Sequence, residues 1–310
     1  AIPKLNVISN VAFKVSADWW RYIVGVTIIF IFTQIGSIPF IIAIISKAGL
    51  EAAASLEETN MMTVLENNNL TLFYFLFPFA IGFLGLLVVI KFLHKQSFLS
   101  LTTSRSKIDF SRLFTAFFCV SIIICANTFI YYFTSPEDYE FNFNMSSFLG
   151  LFAVAIVFIP IQTSLEEYIF RGYLMQGLGA NFKSRWIPLI LTSFSFGFLH
   201  FWNPEVSELG YIILVHYVAT GFFLGIITLM DEGMELALGF HAGNNLLIAL
   251  LVTADWTVFQ TNSILKFISK PDVITETLFS VLLVYPLLLF YFSKKYKWSN
   301  WREKLLGKIN

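Results

Sequence analysis

Long apolar segments recur along the chain, and short polar stretches separate them. A helix that crosses the ~30 Å hydrocarbon core of a bilayer needs about 20 apolar residues. Eight segments reach or approach that length: 22–46, 70–93, 113–133, about 147 through 161, 187–201, 210–230, 234–252 and about 277–292. We therefore predict an all-α polytopic membrane protein, in which a bundle of eight transmembrane helices forms a single membrane domain over residues 1–310.

The composition supports this class of protein and excludes others. Hydrophobic residues make up 57% of the chain and charged residues 13%, about half of the roughly 25% that is usual in soluble domains. Lys and Arg number 20, as do Asp and Glu. A cytosolic globular enzyme, a disordered chain and a nucleic-acid binder are therefore not expected. Cys119 and Cys125 share one apolar segment, which predicts small buried apolar side chains rather than a disulfide or metal ligands.

The distribution of basic residues predicts the topology. If the N-terminus lies in the cytoplasm and eight helices cross the membrane, all but three of the Lys and Arg residues fall on the cytoplasmic side. The exceptions are Lys47, Lys266 and Lys270. This bias follows the positive-inside rule and predicts that both termini are cytoplasmic.

Ionisable residues within membrane helices are costly and are functional candidates for that reason. Glu166, Glu167 and Arg171 follow the fourth apolar segment. Glu167 and Arg171 are four residues apart and can pair on a helix, whereas adjacent helical residues point about 100° apart. We therefore expect Glu167 to be neutralised by Arg171 and Glu166 to face a cavity. The alternative is that the helix ends at Gln162 and that these charges belong to an interfacial loop.

Two further polar groups lie in the fifth and sixth segments. Phe196 and His200 are four residues apart and share a helix face. His200 is a candidate functional residue, although a lone histidine in a membrane helix is as often a hydrogen-bonded core residue. His216 is a weaker candidate, with a helix-packing hydrogen bond as the favoured interpretation.

The seventh segment contains His241 and Asn245, again four residues apart and on one face. Gly239 and Gly243 have the same spacing and would let another helix approach closely. Structural hydrogen bonding between helices is the alternative to a functional role for the histidine and the asparagine.

Together these side chains make a workable hydrolytic set. A carboxylate in an apolar cavity is a stronger base than one in water, and Glu166 could deprotonate a water molecule with help from His200. His241 and Asn245 could donate hydrogen bonds to the developing oxyanion of a peptide carbonyl. Alternatively, Glu166, His200 and His241 could bind Zn²⁺. Both versions end in attack of water on an amide.

Three short motifs, in this order, resemble those of a known family. They are Glu-Glu-x-x-x-Arg at Glu166, Glu167 and Arg171, Phe-x-x-x-His at Phe196 and His200, and His-x-x-x-Asn at His241 and Asn245. The family is that of the CAAX-protease and bacteriocin-processing (CPBP, or Abi) intramembrane proteases, which includes the type II CAAX prenyl endopeptidases. The stretch Leu-Thr-Thr-Ser-Arg at 101–105 is similar to one that bacterial members often carry.

The resemblance implies a catalytic core over about residues 145–255 and a cavity open toward one membrane face. It implies that Glu166 is the base, that His200 assists it, and that His241 and Asn245 stabilise the oxyanion. Supporting roles follow for Glu167, Arg171 and Phe196. The expected substrate is a peptide or membrane protein that arrives through the lipid bilayer or from the cytoplasmic side, and no cofactor is expected. We expect a multi-pass protein of a bacterial inner membrane, with substrate identity and oligomeric state left open.

Two other functions stay possible at this point. A non-catalytic immunity or interaction protein could use the same fold, because family members are linked to self-immunity against bacteriocins. A transporter or proton relay could also use buried Glu and His residues. Transporters commonly show inverted repeats or paired broken helices, and the chain has no visible internal repeat.

Overall fold

The computed structural model describes residues 18–51 and 64–309 of the chain, and these residues are mostly helical. We number the elements in chain order. The helices are α1 (Trp19–Ala48), α2 (Asn68–Val88), α3 (Phe98–Thr102), α4 (Phe110–Thr134), α5 (Met145–Glu167), α6 (Met175–Phe182), α7 (Trp186–Leu199), α8 (Pro204–Leu209), α9 (Ile213–Asp231), α10 (Glu235–Leu251), α11 (Val273–Phe279), α12 (Tyr285–Lys295) and α13 (Trp301–Leu306). Three π-helical segments, Val89–Leu93, Tyr168–Leu174 and Ser280–Val284, continue α2, α5 and α11.

Each of the eight apolar segments forms a helix, but only six helical stretches are long and apolar enough to cross a membrane within the described residues. The fifth and seventh segments form the shorter helices α7 and α10, of 14 and 17 residues. At about 1.5 Å per residue, a helix of 14 residues is about 21 Å long, shorter than the hydrocarbon core. The mostly helical membrane fold is thus confirmed, while eight membrane crossings and cytoplasmic termini stay predictions.

The structure departs from the all-α prediction at one end of the bundle, where connections between helices form a small sheet. Its strands are β1 (Tyr139–Phe141), β2 (Val252–Thr253) and β3 (Leu265–Phe267), in the order β1-β3-β2. β3 pairs antiparallel with β1 and parallel with β2. These strands are two or three residues long, too short for a period-two pattern to predict them.

A buried acid lies near this sheet and supplies a test of pH dependence. Glu205 on α8 accepts a hydrogen bond from the backbone N–H of Val258 at 2.8 Å, and burial raises the pKa of the Glu205 carboxyl group. When an acid has a higher pKa in the folded protein than in the unfolded chain, the protein loses stability as the pH rises from the lower of these values to the higher. Between about pH 5 and about pH 8, Tm should therefore fall less for Glu205→Gln than for the wild type; equal falls would contradict this.

The basic connections gather at the opposite end of the bundle. Thr103 forms a β-bridge with Gly233, and Ser184 forms one with Lys308. The loop between α3 and α4 is also fixed by Arg105, which forms ion pairs with Asp231 at 2.8 Å and Glu235 at 3.0 Å. The connections that the positive-inside rule assigns to one side of the membrane therefore lie together in the fold.

The close helix approach predicted from Gly239 and Gly243 is present. Both glycines of α10 face α4, and a Cβ atom at Gly239 would collide with the carbonyl oxygen of Leu113. A Cβ atom at Gly243 would lie 2.9 Å from the carbonyl oxygen of Phe117. The small residues thus bring the backbones of α4 and α10 together, and they fix the helix that carries the third motif.

The prediction that both cysteines are buried is wrong for Cys125. Cys119 is half-buried and Cys125 is exposed, and both are free thiols. Cys125 shares a face of α4 with Ile122 and Phe129, which are 68% and 64% exposed. The side of a membrane helix that contacts lipid is as apolar as the side that packs on protein, so hydrophobicity alone does not distinguish the two faces.

Candidate active site

The helix that carries the first motif continues past Gln162, so the alternative of an interfacial loop is wrong. α5, the π-helical segment and α6 form one helical stretch from Met145 to Phe182. The π-helical segment Tyr168–Leu174 begins directly after the two glutamates and contains Arg171. Insertions of this kind often occur at functional sites.

Glu167 joins the first motif to the third. Its Oε1 accepts hydrogen bonds from Nη1 of Arg171 at 3.0 Å and from Nδ1 of His241 at 2.8 Å. The side chains of Glu167 and Arg171 are fully buried, and that of His241 is 7% exposed. The Glu167–Arg171 pair is therefore present as predicted, and the same carboxylate also orients the imidazole of His241.

Glu166 is held from one side and faces His241 on the other. Its Oε1 accepts a hydrogen bond of 2.6 Å from Nε2 of Gln162, one turn earlier on α5. Its Oε2 lies 3.6 Å from Nε2 of His241 and has no hydrogen-bond partner within the described residues. The sequence predicted that the two glutamates point in different directions, and the structure places the ring of His241 where it reaches both.

The tautomer of neutral His200 follows from its hydrogen bond. Nδ1 lies 2.7 Å from the carbonyl oxygen of Phe196, and a carbonyl oxygen can only accept, so Nδ1 carries the hydrogen. Nε2 of the neutral ring is then free to accept a proton. The ring also stacks on Tyr217, with centroids 4.2 Å apart, which fixes its plane.

The ring of Phe196 packs among side chains from all three motifs. Its centroid lies 4.8 Å from that of His200 and 5.9 Å from that of His241. Cζ of Arg171 lies 4.4 Å from the same centroid, within the range of a cation–π interaction. Side chains from the three motifs therefore meet at one aromatic ring. His241 contacts both glutamates, and the ring of Phe196 packs against both His241 and His200.

Asn245 has one end of its carboxamide occupied. Its Oδ1 accepts a hydrogen bond of 3.1 Å from Nδ2 of Asn244. The Nδ2 group of Asn245 donates no hydrogen bond to another described residue, so it is an available donor on the same helix as His241.

His216 lies beside aromatic rings rather than in the contacts of the three motifs. Its centroid is 6.0 Å from that of Tyr217 and 6.3 Å from that of Tyr285. Among the described residues, the side chain of His216 thus packs against aromatic rings rather than through the hydrogen bond that was predicted.

The alternative set of zinc ligands does not fit the arrangement of the described residues. None of their His, Cys, Asp and Glu side chains form a group of three or more that could hold a metal ion. Nδ1 of His200 is engaged by the backbone carbonyl oxygen of Phe196. Among the described residues, Glu166, His200 and His241 therefore do not form a group that could hold Zn²⁺.

Sequence analysis missed three residues that contact the predicted ones. Gln162 could have been found, because it is a polar residue in an apolar helix, four positions before Glu166. Asn244 could also have been found, since it directly precedes Asn245. The stacking of Tyr217 on His200 joins α9 to the end of α7, and no local spacing predicts such a contact.

Comparison with known proteins agrees with the geometry. Residues 145–247 match the family model of the type II CAAX prenyl endopeptidase Rce1-like proteins. This segment is therefore similar to the Rce1-like family. The resemblance to CAAX proteases inferred from the three motifs is confirmed, and the matched segment contains every residue of those motifs.

Another protein is similar to this chain over nearly the whole length of the chain. It is the uncharacterized protein YyaK of Bacillus subtilis (strain 168), which is 27% identical over 281 residues. The alignment covers 90% of this chain and 93% of YyaK. The similarity therefore extends beyond the Rce1-like segment into the helices on either side of it. No solved structure matches the chain significantly.

Proposed function

We propose that this integral membrane protein is an intramembrane endopeptidase in which Glu166 activates the attacking water. The main support is the contact of His241 with both glutamates, which joins the first and third motifs of an Rce1-like segment in one buried site. Buried, closely coupled ionisable groups of this kind are characteristic of catalytic sites.

In the proposed reaction, a water molecule lies beside Oε2 of Glu166, which has no other partner among the described residues. The water oxygen attacks the carbonyl carbon of the scissile peptide, and one of its protons passes to Glu166. His200 assists through the free Nε2 of its ring. As the C–N bond breaks, Glu166 returns the proton to the leaving amine.

Two donors from α10 would stabilise the oxyanion of the tetrahedral intermediate. Asn245 supplies the free Nδ2 group. His241 already donates Nδ1–H to Glu167, so it can donate from Nε2 only as an imidazolium. The carboxylates of Glu166 and Glu167 lie 3.6 and 2.8 Å from the two ring nitrogens and would both pair with that imidazolium. Glu167 and Arg171 thus act through His241 rather than on the substrate.

The proposed substrate is a peptide segment of a membrane protein or a lipid-modified peptide, and no cofactor takes part. The fold offers a reaction site between membrane helices, and the family description names prenylated CAAX substrates. With the basic connections at one end of the bundle, we propose a cytoplasmic position for that end and a bacterial inner membrane as the location.

A comparison of peptides from whole membranes tests this function even while the substrate is unidentified. Cells that produce the wild-type chain should yield peptides that are absent from cells producing Glu166→Gln at equal abundance in the membrane. The variant keeps the size of the side chain and a hydrogen-bonding group, but loses the base. The two samples could instead yield identical peptides, and the cells with Glu166→Gln could show the same phenotype as cells with the wild type. That result would favour the non-catalytic immunity or interaction protein.

A further inference from the structure

One strong polar contact of Glu166 comes from outside the three motifs. Gln162 and Glu166 are one helical turn apart on α5, and the Nε2–Oε1 distance is 2.6 Å. Gln162 is 5% exposed, in a helix that is long and apolar enough to cross a membrane. A carboxamide in such a position is costly unless its polar atoms have a use.

The hydrogen bond does not serve helix packing. Both of its members belong to α5, so it joins no second element to the bundle. Oε1 of Gln162 is buried and has no partner among the described residues. A purely structural amide would normally satisfy both ends, whereas this one satisfies only the end that meets Glu166.

The chemistry of a carboxamide suits a carboxyl group that gains and loses a proton. The NH₂ end of Gln162 donates to Oε1 of the ionised carboxylate. When Oε2 takes a proton from water, Oε1 becomes the carbonyl oxygen and still accepts, so the same hydrogen bond can hold Glu166 before and after the transfer. In both states Oε2 stays directed at Nε2 of His241.

We propose that Gln162 is a positioning residue, which holds the carboxyl group of Glu166 in a fixed orientation through both of its protonation states. The inference rests on the proposed function for its catalytic consequence. Its structural part, a hydrogen bond that governs the state of Glu166, can be tested without any substrate.

The decisive experiment is infrared difference spectroscopy of the full chain in lipid nanodiscs, recorded as pH is changed in the absence of substrate. The carboxyl bands that disappear in Glu166→Gln belong to Glu166. In Gln162→Met, which preserves side-chain length, these bands should shift in frequency, and they should give way to the protonated form at higher pH than in the wild type. A donated hydrogen bond favours the ionised carboxylate, and methionine cannot supply it.

Thr163→Val is the matched control. Thr163 is the next residue, is fully buried and uses its hydroxyl group only within α5, with an acceptor at Ile159. This variant should leave the Glu166 bands unchanged. Gln162→Leu provides a second test if Gln162→Met is produced poorly.

Activity measurements then separate this inference from the proposed function. With an internally quenched farnesylated CAAX peptide as probe, kcat of Gln162→Met should fall about tenfold to a hundredfold, the usual effect of losing a hydrogen bond to a charged group. KM should change little, and the acid limb of the kcat profile should move to higher pH. Unchanged Glu166 bands in both Gln162 variants would overturn the inference, even if cleavage depends on Glu166. If the Glu166 bands shift in Gln162→Met but the wild-type chain cleaves nothing, the result would support the positioning role and count against the protease.

Discussion

Replacement of Glu167 by Gln should lower the free energy of unfolding by about 3–5 kcal/mol, the usual result of removing one partner from a buried ion pair. The carboxylate is fully buried, and its Oε1 accepts from both Arg171 and His241. Glutamine can occupy the same space, but it leaves the positive charge of Arg171 without its direct counterion. Unfolding in mixed micelles of increasing denaturing detergent measures the loss.

Two further variants distinguish this mechanism from a general sensitivity of the fold. Glu140→Gln, on the exposed face of β1, should change stability by no more than about 0.5 kcal/mol. The double variant Glu167→Leu with Arg171→Met should recover most of the lost stability, because apolar residues replace the whole pair. It should not recover cleavage, since His241 still lacks its acceptor. A single Glu167→Gln variant as stable as the wild type would contradict the account.

Replacement of His241 by Ala should reduce kcat about 10²–10³-fold, the usual cost of losing one oxyanion donor. His241 is the residue that contacts both glutamates, so its loss also removes the group that Glu167 orients. KM should change much less, because the interaction strengthens in the transition state. The assay uses the farnesylated probe peptide or a peptide found by the membrane comparison.

His216→Ala is the control for the loss of an imidazole from the bundle. His216 lies on α9 beside aromatic rings and makes none of the contacts among the three motifs. Its replacement should leave kcat within about twofold of the wild type, a difference well under 1 kcal/mol. Equal losses for the two histidine variants would show that His241 acts through packing rather than through the oxyanion.

The sequence predicted those features that depend on local spacing. Apolar segments located the helices, and the spacing of four residues located the Glu167–Arg171 pair and the two glycines that bring α10 against α4. The family resemblance grouped the three motifs, and the structure shows how they meet, through the contacts of His241 with the glutamates and of Phe196 with Arg171.

Features that depend on the packing of distant elements could not be predicted. Nothing in the local sequence indicates that Tyr217 stacks on His200, or that the ring of Phe196 packs against Arg171 and His241. The short sheet is formed by residues from two connections that are far apart in the chain, α4–α5 and α10–α11. The exposure of Cys125 depends on which side of α4 faces the bundle, and an apolar segment carries too little contrast between its sides to show this.

Cleavage by purified protein in proteoliposomes tests the central claim most directly. The wild-type chain and Glu166→Gln are incubated with the same substrate peptide in ¹⁸O-labelled water, and the products are identified by mass spectrometry. We expect wild-type protein to release a product whose new carboxyl group carries ¹⁸O, and we expect no product above background from the variant. Cleavage by Glu166→Gln at the wild-type rate would contradict the role of Glu166 as the base that activates water.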